Sequence, residues 1–354
     1  MIMIKPFPFI IAPLSMTFFG YLSFTQKGVF CYSTFIYAYA CIPIIELFMK
    51  NDDSYALSAQ KALAKESISY DVILYMSVAT QIALLGLFLF SLQDPSLVAF
   101  DIVGRILSMG LLTTFAINLG HELGHHDSLK DQFLAKIMLL TSLMMHFFIE
   151  HNRGHHKNVA TLEDPSTARK NESVYAFWIR AISNEYISAW HLEKKKMQIL
   201  GLPNISFRNE MIQFHLIQAT FLWLIIYFFG WQICLYFFAT SVVAYVSFET
   251  VQYIEHYGLL RKQNTKGRYE RVEVHHSWNS NHVFGRLMMF NLSRHSDHHF
   301  RPAKKYQKLN HQSKAPQLPT GYPGMMILSL FPPLWFWLMN KRIKCYEEQF
   351  SIES

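Results

Sequence analysis

Six long apolar stretches dominate the hydrophobic pattern of this chain. A helix needs about 20 mainly apolar residues to cross the hydrocarbon core of a bilayer. The stretches of this kind are residues 7–24, 29–49, 71–92, 97–118, 212–229 and 231–253. Very short links at 25–28, 93–96 and residue 230 join them in pairs. The pattern therefore predicts an all-α, polytopic membrane protein with six transmembrane helices arranged as three hairpins.

Two further apolar runs do not fit this pattern. Residues 133–149 form a run near the lower limit for a span, and residues 322–339 are interrupted by Pro323, Pro332 and Pro333. Proline removes a helical hydrogen bond and breaks or kinks a helix interior. We expect the first run to be re-entrant, interfacial or buried in protein. We expect the second to pack on the membrane surface or on the extramembrane part of the chain.

The charges lie almost entirely between the predicted hairpins. The chain is 51% hydrophobic and only 16% charged, which is too apolar for a typical soluble protein of 354 residues. Its formal charge of +7 is explained by the enrichment of Lys and Arg in cytoplasmic loops, so it does not indicate nucleic-acid binding. The long charged segments, including 51–69 with Lys61 and Lys65, and both termini are therefore predicted to be cytoplasmic. Inside the fourth span, Asp101 and Arg105 are one turn apart and are expected to pair.

These spans divide the chain into four parts. Residues 1–118 hold the first four transmembrane helices, and residues 119–211 form a cytoplasmic segment. Residues 212–256 hold the last two transmembrane helices, and residues 257–354 form a second cytoplasmic segment. The four cysteines include no C-x-x-C pair, so the chain shows neither a disulfide framework nor a thiolate metal site.

Three dense histidine clusters lie beside the apolar stretches, with a further histidine at the end of the sixth span. Residues four apart on a helix project from one face, so several of these rings could hold one ion together. Nine imidazoles are too many for one metal ion and a natural number for two. The candidate ligands are His121, His125, His151, His155, His156, His256, His295, His298 and His299. If residues 133–149 crossed the membrane, the first two clusters would lie on opposite sides and could not share a site.

Acidic or amide residues flank every cluster and could orient the ligating rings, as such groups commonly do in metal sites. They are Asn118, Glu122, Glu150, Glu255 and Asp297. Imidazole suits zinc, copper, iron and nickel alike, so the ligand type does not name the metal. The isolated histidines are read as ordinary surface or core residues, and the adjacent histidines 126, 275 and 276 are left outside the ligand set.

Two other functions compete at this point. His121-Glu122-Leu-Gly-His125 matches H-E-x-x-H, the zinc metalloprotease motif in which the glutamate is the general base. A membrane protease would suit the hydrophobicity, but it would leave the second and third clusters without a role. A metal-ion transporter should place its polar ligands near the bilayer midplane in interrupted helices. Here the clusters lie at or beyond helix ends.

Four segments of the sequence resemble the signature segments of membrane-bound alkane 1-monooxygenases. These segments are N-L-G-H-E-L-G-H (118–125), E-H-N-R-G-H-H-K-N-V-A-T-L-E-D-P-S-T-A-R (150–169), Y-I-E-H-Y-G-L (253–259) and R-H-S-D-H-H (294–299). These enzymes belong with xylene monooxygenases and with fatty-acid desaturases and hydroxylases in the histidine-box di-iron family. The chain departs from the typical pattern at His126, where a basic residue is usual, and at Asn291-Leu-Ser, where a Gln usually precedes the arginine.

The resemblance implies a specific chemistry. It implies two non-haem irons held by the nine candidate histidines, with O₂ as co-substrate and a terminal methyl group as the position hydroxylated. Electrons would come from rubredoxin and an NAD(P)H-dependent rubredoxin reductase, and the chain has no G-x-G-x-x-G or C-x-x-C module of its own. The implied location is a bacterial inner membrane, with the site on the cytoplasmic side. A xylene-type monooxygenase or a fatty-acyl desaturase or hydroxylase is the alternative within the family.

Overall fold

Six helices in the described part of the chain are long and apolar enough to cross a membrane. The computed structural model describes residues 6–49 and 68–353, so the predicted loop with Lys61 and Lys65 lies outside the described residues. The six helices are α1 (Phe7–Thr25), α2 (Gly28–Phe48), α3 (Ile68–Ser91), α4 (Ala99–Gly124), α8 (Glu210–Phe229) and α9 (Trp231–His256). The described residues contain no β-strand, so the all-α, six-span prediction is confirmed.

The apolar run 133–149 does not form a spanning helix. Helix α5 (Leu129–Leu140) begins after the N-cap Ser128, whose side chain accepts a hydrogen bond from the Asp131 N–H, and it ends after 12 residues. A tight turn follows, with Leu143 at a φ of 59°, and the chain then enters the helical segment α6 (147–158). The run is therefore a helix and a turn that pack beside the spans.

Helices outside the six spans build the rest of the protein. Helix α7 (Val174–Ile199) starts at Ser173, whose side chain accepts a hydrogen bond from the Ala176 N–H. The later α-helices of the described residues are α10 (Val283–Met288), α11 (His295–Phe300), α12 (Tyr322–Ser329) and α13 (Pro332–Glu353). The second apolar run thus splits at its proline pair into α12 and α13. The buried Trp335 of α13 packs on Tyr253 and Tyr257 at the end of α9.

The hairpin of α8 and α9 turns on one glycine. Gly230 has a φ of +87° and a ψ of 163°, a conformation that residues with a Cβ atom rarely adopt. Its N–H still donates to the Ile226 carbonyl and so closes the last turn of α8. The next residue, Trp231, already starts α9. The predicted one-residue link is present for this backbone reason.

The prediction that Asp101 and Arg105 pair with each other is wrong, because each side chain forms hydrogen bonds with other partners. The Asp101 carboxylate accepts hydrogen bonds from the Gly28 N–H (2.6 Å) and the Val98 N–H (3.2 Å). Arg105 donates to the carbonyl oxygens of Ser91 (2.7 Å) and Gln26 (3.1 Å). Both side chains therefore satisfy backbone groups that the short interhelical links leave unpaired. Spacing along one helix could not show that these links fold back over it.

Helix α4 is central and packs most extensively against α9 and α5. It approaches α9 closely at Gly110, where an added Cβ atom would collide with the Val243 side chain. Thr114 of α4 donates a hydrogen bond to the carbonyl of Ala244, which is fully buried on α9. Small residues at a helix interface let two backbones approach, which is how membrane helices gain packing energy. Both helices run in the same direction, so their C-terminal ends lie on the same side of the bundle.

Replacing Gly110 by Ala should destabilise the protein, because Val243 must move to admit the methyl group. Overpacking of this kind costs about 1–3 kcal/mol. The control is Gly86→Ala in α3, where an added Cβ meets nothing within 4 Å. Thermal unfolding in detergent should show a lower midpoint for G110A, an unchanged or slightly higher one for G86A, and partial recovery in G110A/V243A. Equal midpoints for the two glycine variants would contradict the close approach of α4 and α9.

Candidate metal centre

The structure brings five of the nine candidate histidines together in one group. This group, the five-histidine group, contains His121, His125, His151, His156 and His298. His121 is in the last turn of α4 and His125 directly follows this helix, so their four-residue spacing places both rings on one side. The His121 Nε2 atom lies 3.0 Å from His298 Nε2 and 3.3 Å from His125 Nε2.

The other four candidates form a second group beside the first. This four-histidine group contains His155, His256, His295 and His299, all of them buried. The His295 Nε2 atom lies 3.0 Å from His256 Nε2 and 2.9 Å from His299 Nε2, which in turn lies 3.2 Å from His155 Nε2. The ring centroids of His156 and His299 are 4.6 Å apart, so the two groups adjoin. The nine candidates thus form one buried centre with two halves.

A π-helical turn assigns the histidines of the second sequence cluster to different groups. Residues His151–His155 form this turn, which the His156 N–H closes by donating to the His151 carbonyl. A π-turn aligns residues five apart, and the Nε2 atoms of His151 and His156 lie 2.9 Å apart. His155 points to the other group. The four-residue spacing had suggested that the rings of His151 and His155 could hold one ion together, but the structure places them in different groups.

Gly154 permits the π-turn. A Cβ atom there would collide with Oε1 of the buried Glu150. The Glu150 side chain therefore packs directly against the π-turn at Gly154. The Ser188 hydroxyl donates a hydrogen bond of 3.3 Å to Oε1 of Glu150. Burial, and then the charge of Glu185, raises the pKa of Glu150 well above its usual value. Of the flanking residues considered from the sequence, this one shapes the backbone that carries three candidate ligands.

The spacing of the ring nitrogens matches that of ligands around one ion. A neutral imidazole carries one N–H, yet His125 Nε2 has the Nε2 atoms of His121, His151 and His156 within 3.3, 3.2 and 3.1 Å. One proton cannot satisfy all of these contacts, so lone pairs face one another. Ligands about 2.1 Å from an ion and 90–109° apart would be separated by about 3.0–3.4 Å. A cation in each group would therefore turn the repulsion into attraction.

Six of the rings outside the spans have lowered pKa values, which favour the neutral form that metal binding requires. Burial is the first cause, and the neighbouring imidazoles add to it: together they hold the pKa of His125 at about 3. The pKa values of His151, His156, His295, His298 and His299 all lie well below the usual value for the same two reasons. Nine imidazoles with converging nitrogens suit a borderline transition-metal ion such as iron or zinc.

Asp164, which the sequence reading missed, orients one of the candidate ligands. Nδ1 of His155 lies 3.0 and 3.1 Å from the two carboxylate oxygens of Asp164, so its N–H can donate there and leave Nε2 free for an ion. Thr167 and the Ser166 N–H hold the carboxylate in place. Burial raises the pKa of Asp164, but the charge of His155 outweighs it and the net pKa is lowered. The only sequence signal was its place inside the matched segment 150–169.

The remaining flanking residues have different partners. Glu255 has a carboxylate oxygen 3.3 Å from His295 Nδ1, and Asn118 donates to the Met289 carbonyl. Asp297 accepts hydrogen bonds from the Asn310 N–H and the Gln312 side chain and pairs with Lys304. Among these residues, Glu255 alone touches a candidate ligand. The role of the others in orienting ligands stays a prediction, and their contacts here stabilise the surrounding loops.

Glu122 is directed away from the five-histidine group. Its carboxylate accepts a hydrogen bond from the Tyr306 N–H (2.9 Å) and lies 3.3 Å from Nε2 of His126. His126 also contacts Asp131, and although burial alone would lower its pKa, these two acids raise it. The contacts of His126 with Glu122 and Asp131 stabilise the turn between α4 and α5. The H-E-x-x-H glutamate is therefore not placed as the general base of a zinc protease would be.

One further group of potential ligands lies apart from this centre. Glu270, His275 and His276 line a surface cavity with residues of α13. The Glu273 N–H donates to Nδ1 of His276, which leaves the ring N–H on Nε2 facing Glu270. A metal on that nitrogen would require the opposite tautomer. This arrangement favours an ordinary histidine–glutamate hydrogen bond.

Comparison with known proteins places the chain in an established group. The fatty acid desaturase family model matches residues 95–329. The chain is 37% identical over 305 residues to Alkane 1-monooxygenase 1 of Alcanivorax borkumensis, covering 86% of this chain and 76% of that protein. It is 38% identical to Alkane 1-monooxygenase 2 of Pseudomonas aeruginosa, with coverages of 87% and 82%. The hydroxylase component of a Pseudomonas putida xylene/toluene monooxygenase is 24% identical, with coverages of 79% and 76%.

Replacing His299 by Ala should remove metal from the four-histidine group, because three ligands would remain there. We expect the purified variant to retain about half of the metal of the unchanged protein. His191→Ala is the matched control, since His191 is an exposed histidine on α7 outside both groups. Inductively coupled plasma mass spectrometry gives the metal content per chain. Full retention in H299A, or an equal loss in H191A, would exclude the four-histidine group as a metal site.

Proposed function

Because this chain belongs to the fatty acid desaturase family and, within it, to the membrane-bound alkane 1-monooxygenases, we propose that it hydroxylates medium- or long-chain alkanes to 1-alkanols. Membership makes it a multi-pass membrane oxidoreductase of the monooxygenase type. The observation that carries the proposal is the convergence of nine imidazoles at one end of an apolar cavity. An alkane offers no group for an acid, a base or a nucleophile, so a redox metal must supply the reactivity.

The proposed metals are two irons, one in each histidine group. Five and four imidazole nitrogens would hold them, with Asp164 fixing the ring of His155. Bound there, two irons would supply the chemistry that activates O₂, so that one oxygen atom enters the substrate and the other leaves as water. The protein's own part is to bind the alkane, direct its methyl group to the centre and keep the nine rings oriented.

An apolar cavity between the spans supports an alkane as the substrate. Helix α4 lines it with Leu111, Phe115 and Asn118, and the same helix then presents His121 and His125. Asn118 is three residues before His121, about 4.5 Å along the helix axis. A chain lying along α4 would therefore bring its end to the five-histidine group.

Other helices complete the wall of this cavity. Tyr37 and Tyr39 come from α2, within a single π-helical turn, Tyr37–Cys41. Phe248 of α9 and Met288 of α10 also contribute, so the lining is almost entirely hydrocarbon and sulfur. Pockets of this kind bind ligands through apolar contact and fix orientation with few polar groups. A charged or strongly polar substrate would lose its hydration here without compensation.

Electrons must come from another protein, and we propose rubredoxin, supplied by an NAD(P)H-dependent rubredoxin reductase. A loop that follows α9 carries the exposed Lys262, Lys266, Arg268 and Arg271 and starts soon after His256. Such a basic surface would attract an acidic electron carrier. Residues 194–196 of α7 are three consecutive lysines, and the last of them, Lys196, forms ion pairs with Glu193 and Glu210. Because Lys196 is paired within the protein, we favour the loop after α9 over the lysines of α7 as the docking surface.

The proposed location is a bacterial inner membrane with the histidine centre and both termini on the cytoplasmic side. The C-terminal ends of α4 and α9 carry His121 and His256, so both groups lie at one end of the bundle. The Lys and Arg residues that follow these helices support the cytoplasm as that side. A cytoplasmic electron donor would then reach the basic loop directly.

The purified protein, loaded with iron in lipid nanodiscs, should convert octane to 1-octanol in the presence of O₂, rubredoxin, rubredoxin reductase and NADH. Gas chromatography measures the product. His298→Ala should lower the turnover by at least about a hundredfold, because it removes a ligand from the five-histidine group. His191→Ala should retain it. Oxidation of p-xylene or of an acyl lipid in place of octane would assign the chain to one of the alternatives within the family.

Leu111→Trp should shorten the cavity and shift the substrate range towards shorter alkanes. Leu111 precedes Asn118 by seven residues, about two helical turns, so it lies at the end of the α4 lining that is farthest from the histidines. The ratio of kcat/KM for dodecane to that for hexane should fall by about tenfold or more, since pocket discrimination is worth about 1–3 kcal/mol per methylene. Val103→Trp, on the exposed face of the same helix, is the control. An unchanged ratio in L111W would exclude this cavity as the binding site.

A further inference from the structure

A stripe of polar side chains runs along α9 from the membrane-spanning part to the histidine centre. Tyr245, Glu249, Gln252 and His256 are spaced by four, three and four residues, so they lie on one face of the helix. Glu249 is seven residues before His256, about 10 Å along the axis. Ionisable residues inside spans are costly and commonly mark sites of function. The proposed function uses His256 but leaves the rest of this stripe without a role.

Glu249 forms an acid pair with Glu185 of α7. Both side chains are completely buried. The Gln252 side chain amide donates to Glu185 (2.9 Å) and to both oxygens of Glu249 (3.2 and 3.3 Å). The Ser166 hydroxyl also donates to Glu185, at 2.7 Å. These hydrogen-bond partners, an amide and a hydroxyl, are neutral groups.

Two adjacent buried carboxyl groups cannot both ionise at low cost, and such pairs share a proton. The titratable groups that face the pair are Glu150 of α6, Asp164 of the following loop, His155 and Tyr245. Burial is the main cause that raises the pKa of Glu185. The pair therefore holds an exchangeable proton inside the protein. Ser166 is two residues after Asp164, which places the pair one loop turn from the four-histidine group.

The far end of the stripe reaches a second cavity. Tyr245 and His146 line it, and the Tyr245 hydroxyl lies 2.8 Å from Nε2 of His146. The cavity has a volume of about 340 Å³ and is also lined by Tyr186 and His215, whose side chains share a hydrogen bond of 2.8 Å. Tyr186 is 39% exposed, so the cavity opens at the protein surface. Tyr245 is one helical turn before Glu249 on α9, so proton-carrying groups extend from this surface towards the acid pair.

We propose that Glu249 and Glu185 relay protons from the cavity at Tyr186 to the histidine centre. The inference rests on the proposed monooxygenase function, whose balance is RH + O₂ + 2 e⁻ + 2 H⁺ → ROH + H₂O. The electrons come from the external donor, and the protons must reach a buried site. In each transfer an O–H bond of the pair breaks, its proton moves towards the centre, and a proton from the cavity, passed through His146 and Tyr245, restores the O–H bond.

The test compares Glu249→Gln with the unchanged iron-loaded protein under the same electron donor. The variant keeps the size of the side chain and one oxygen that can accept from Gln252, but it cannot release a proton. We expect kcat to fall by about tenfold or more and the solvent deuterium isotope effect on kcat to rise, while the metal content and the octane KM stay unchanged. Glu249→Asp should restore part of the activity, and Glu185→Gln should behave like E249Q.

Glu46→Gln is the matched control, because Glu46 is also a buried carboxyl group inside a span, on α2, where it accepts a hydrogen bond from the Gly285 N–H. It is outside the stripe and should keep the original isotope effect. An unchanged kcat and isotope effect in both E249Q and E185Q would overturn the relay, as would a loss of metal that parallels the loss of activity. Failure of the unchanged protein to oxidise octane would instead reject the proposed function.

Discussion

The mutual repulsion of nine closely packed imidazoles is the constraint on which this structure depends. Their Nε2 atoms approach one another to 2.9–3.3 Å in two groups, and the supply of one N–H per ring cannot satisfy those contacts. Cations bound in the two groups would relieve this repulsion and would couple metal binding to the folding of this region. The helices and loops around the two histidine groups hold the rings in place against this repulsion.

The membrane helices provide the rigid part of that support. Helices α4 and α9 meet closely at Gly110 and end together, so that His121 and His256 are fixed by the packing of two spans. The other seven rings come from α6, α11 and the residue after α4. The same two helices extend away from the centre. One face of α4 lines the apolar cavity, and one face of α9 carries the stripe of polar side chains that includes Glu249. A hydrophobic substrate and protons would thus arrive by separate routes.

The buried polar groups of this protein fall into two kinds. Some complete the fold, as Glu122 does with the Tyr306 N–H and His126, and as Asp101 and Arg105 do with the backbone of the short links. These groups have charged or backbone partners that offset the cost of burial. Glu185 and Glu249 take their hydrogen bonds from neutral groups, and that difference is what distinguishes them as candidates for a role in the reaction.

The sequence by itself determined the six spans, the family and the density of histidine at one end of the bundle. These features depend on apolar run length, composition and motif spacing, which are local properties. Only the tertiary structure decided how the rings are divided. His151 joins His156 because Gly154 and Glu150 permit a π-turn, and His298 separates from His295 and His299 because α11 lies between the two groups. Asp164 reaches His155 through a loop whose path no periodicity describes. Direction of side chains at turns and helix ends depends on packing between distant segments, and that information is absent from any single stretch of sequence.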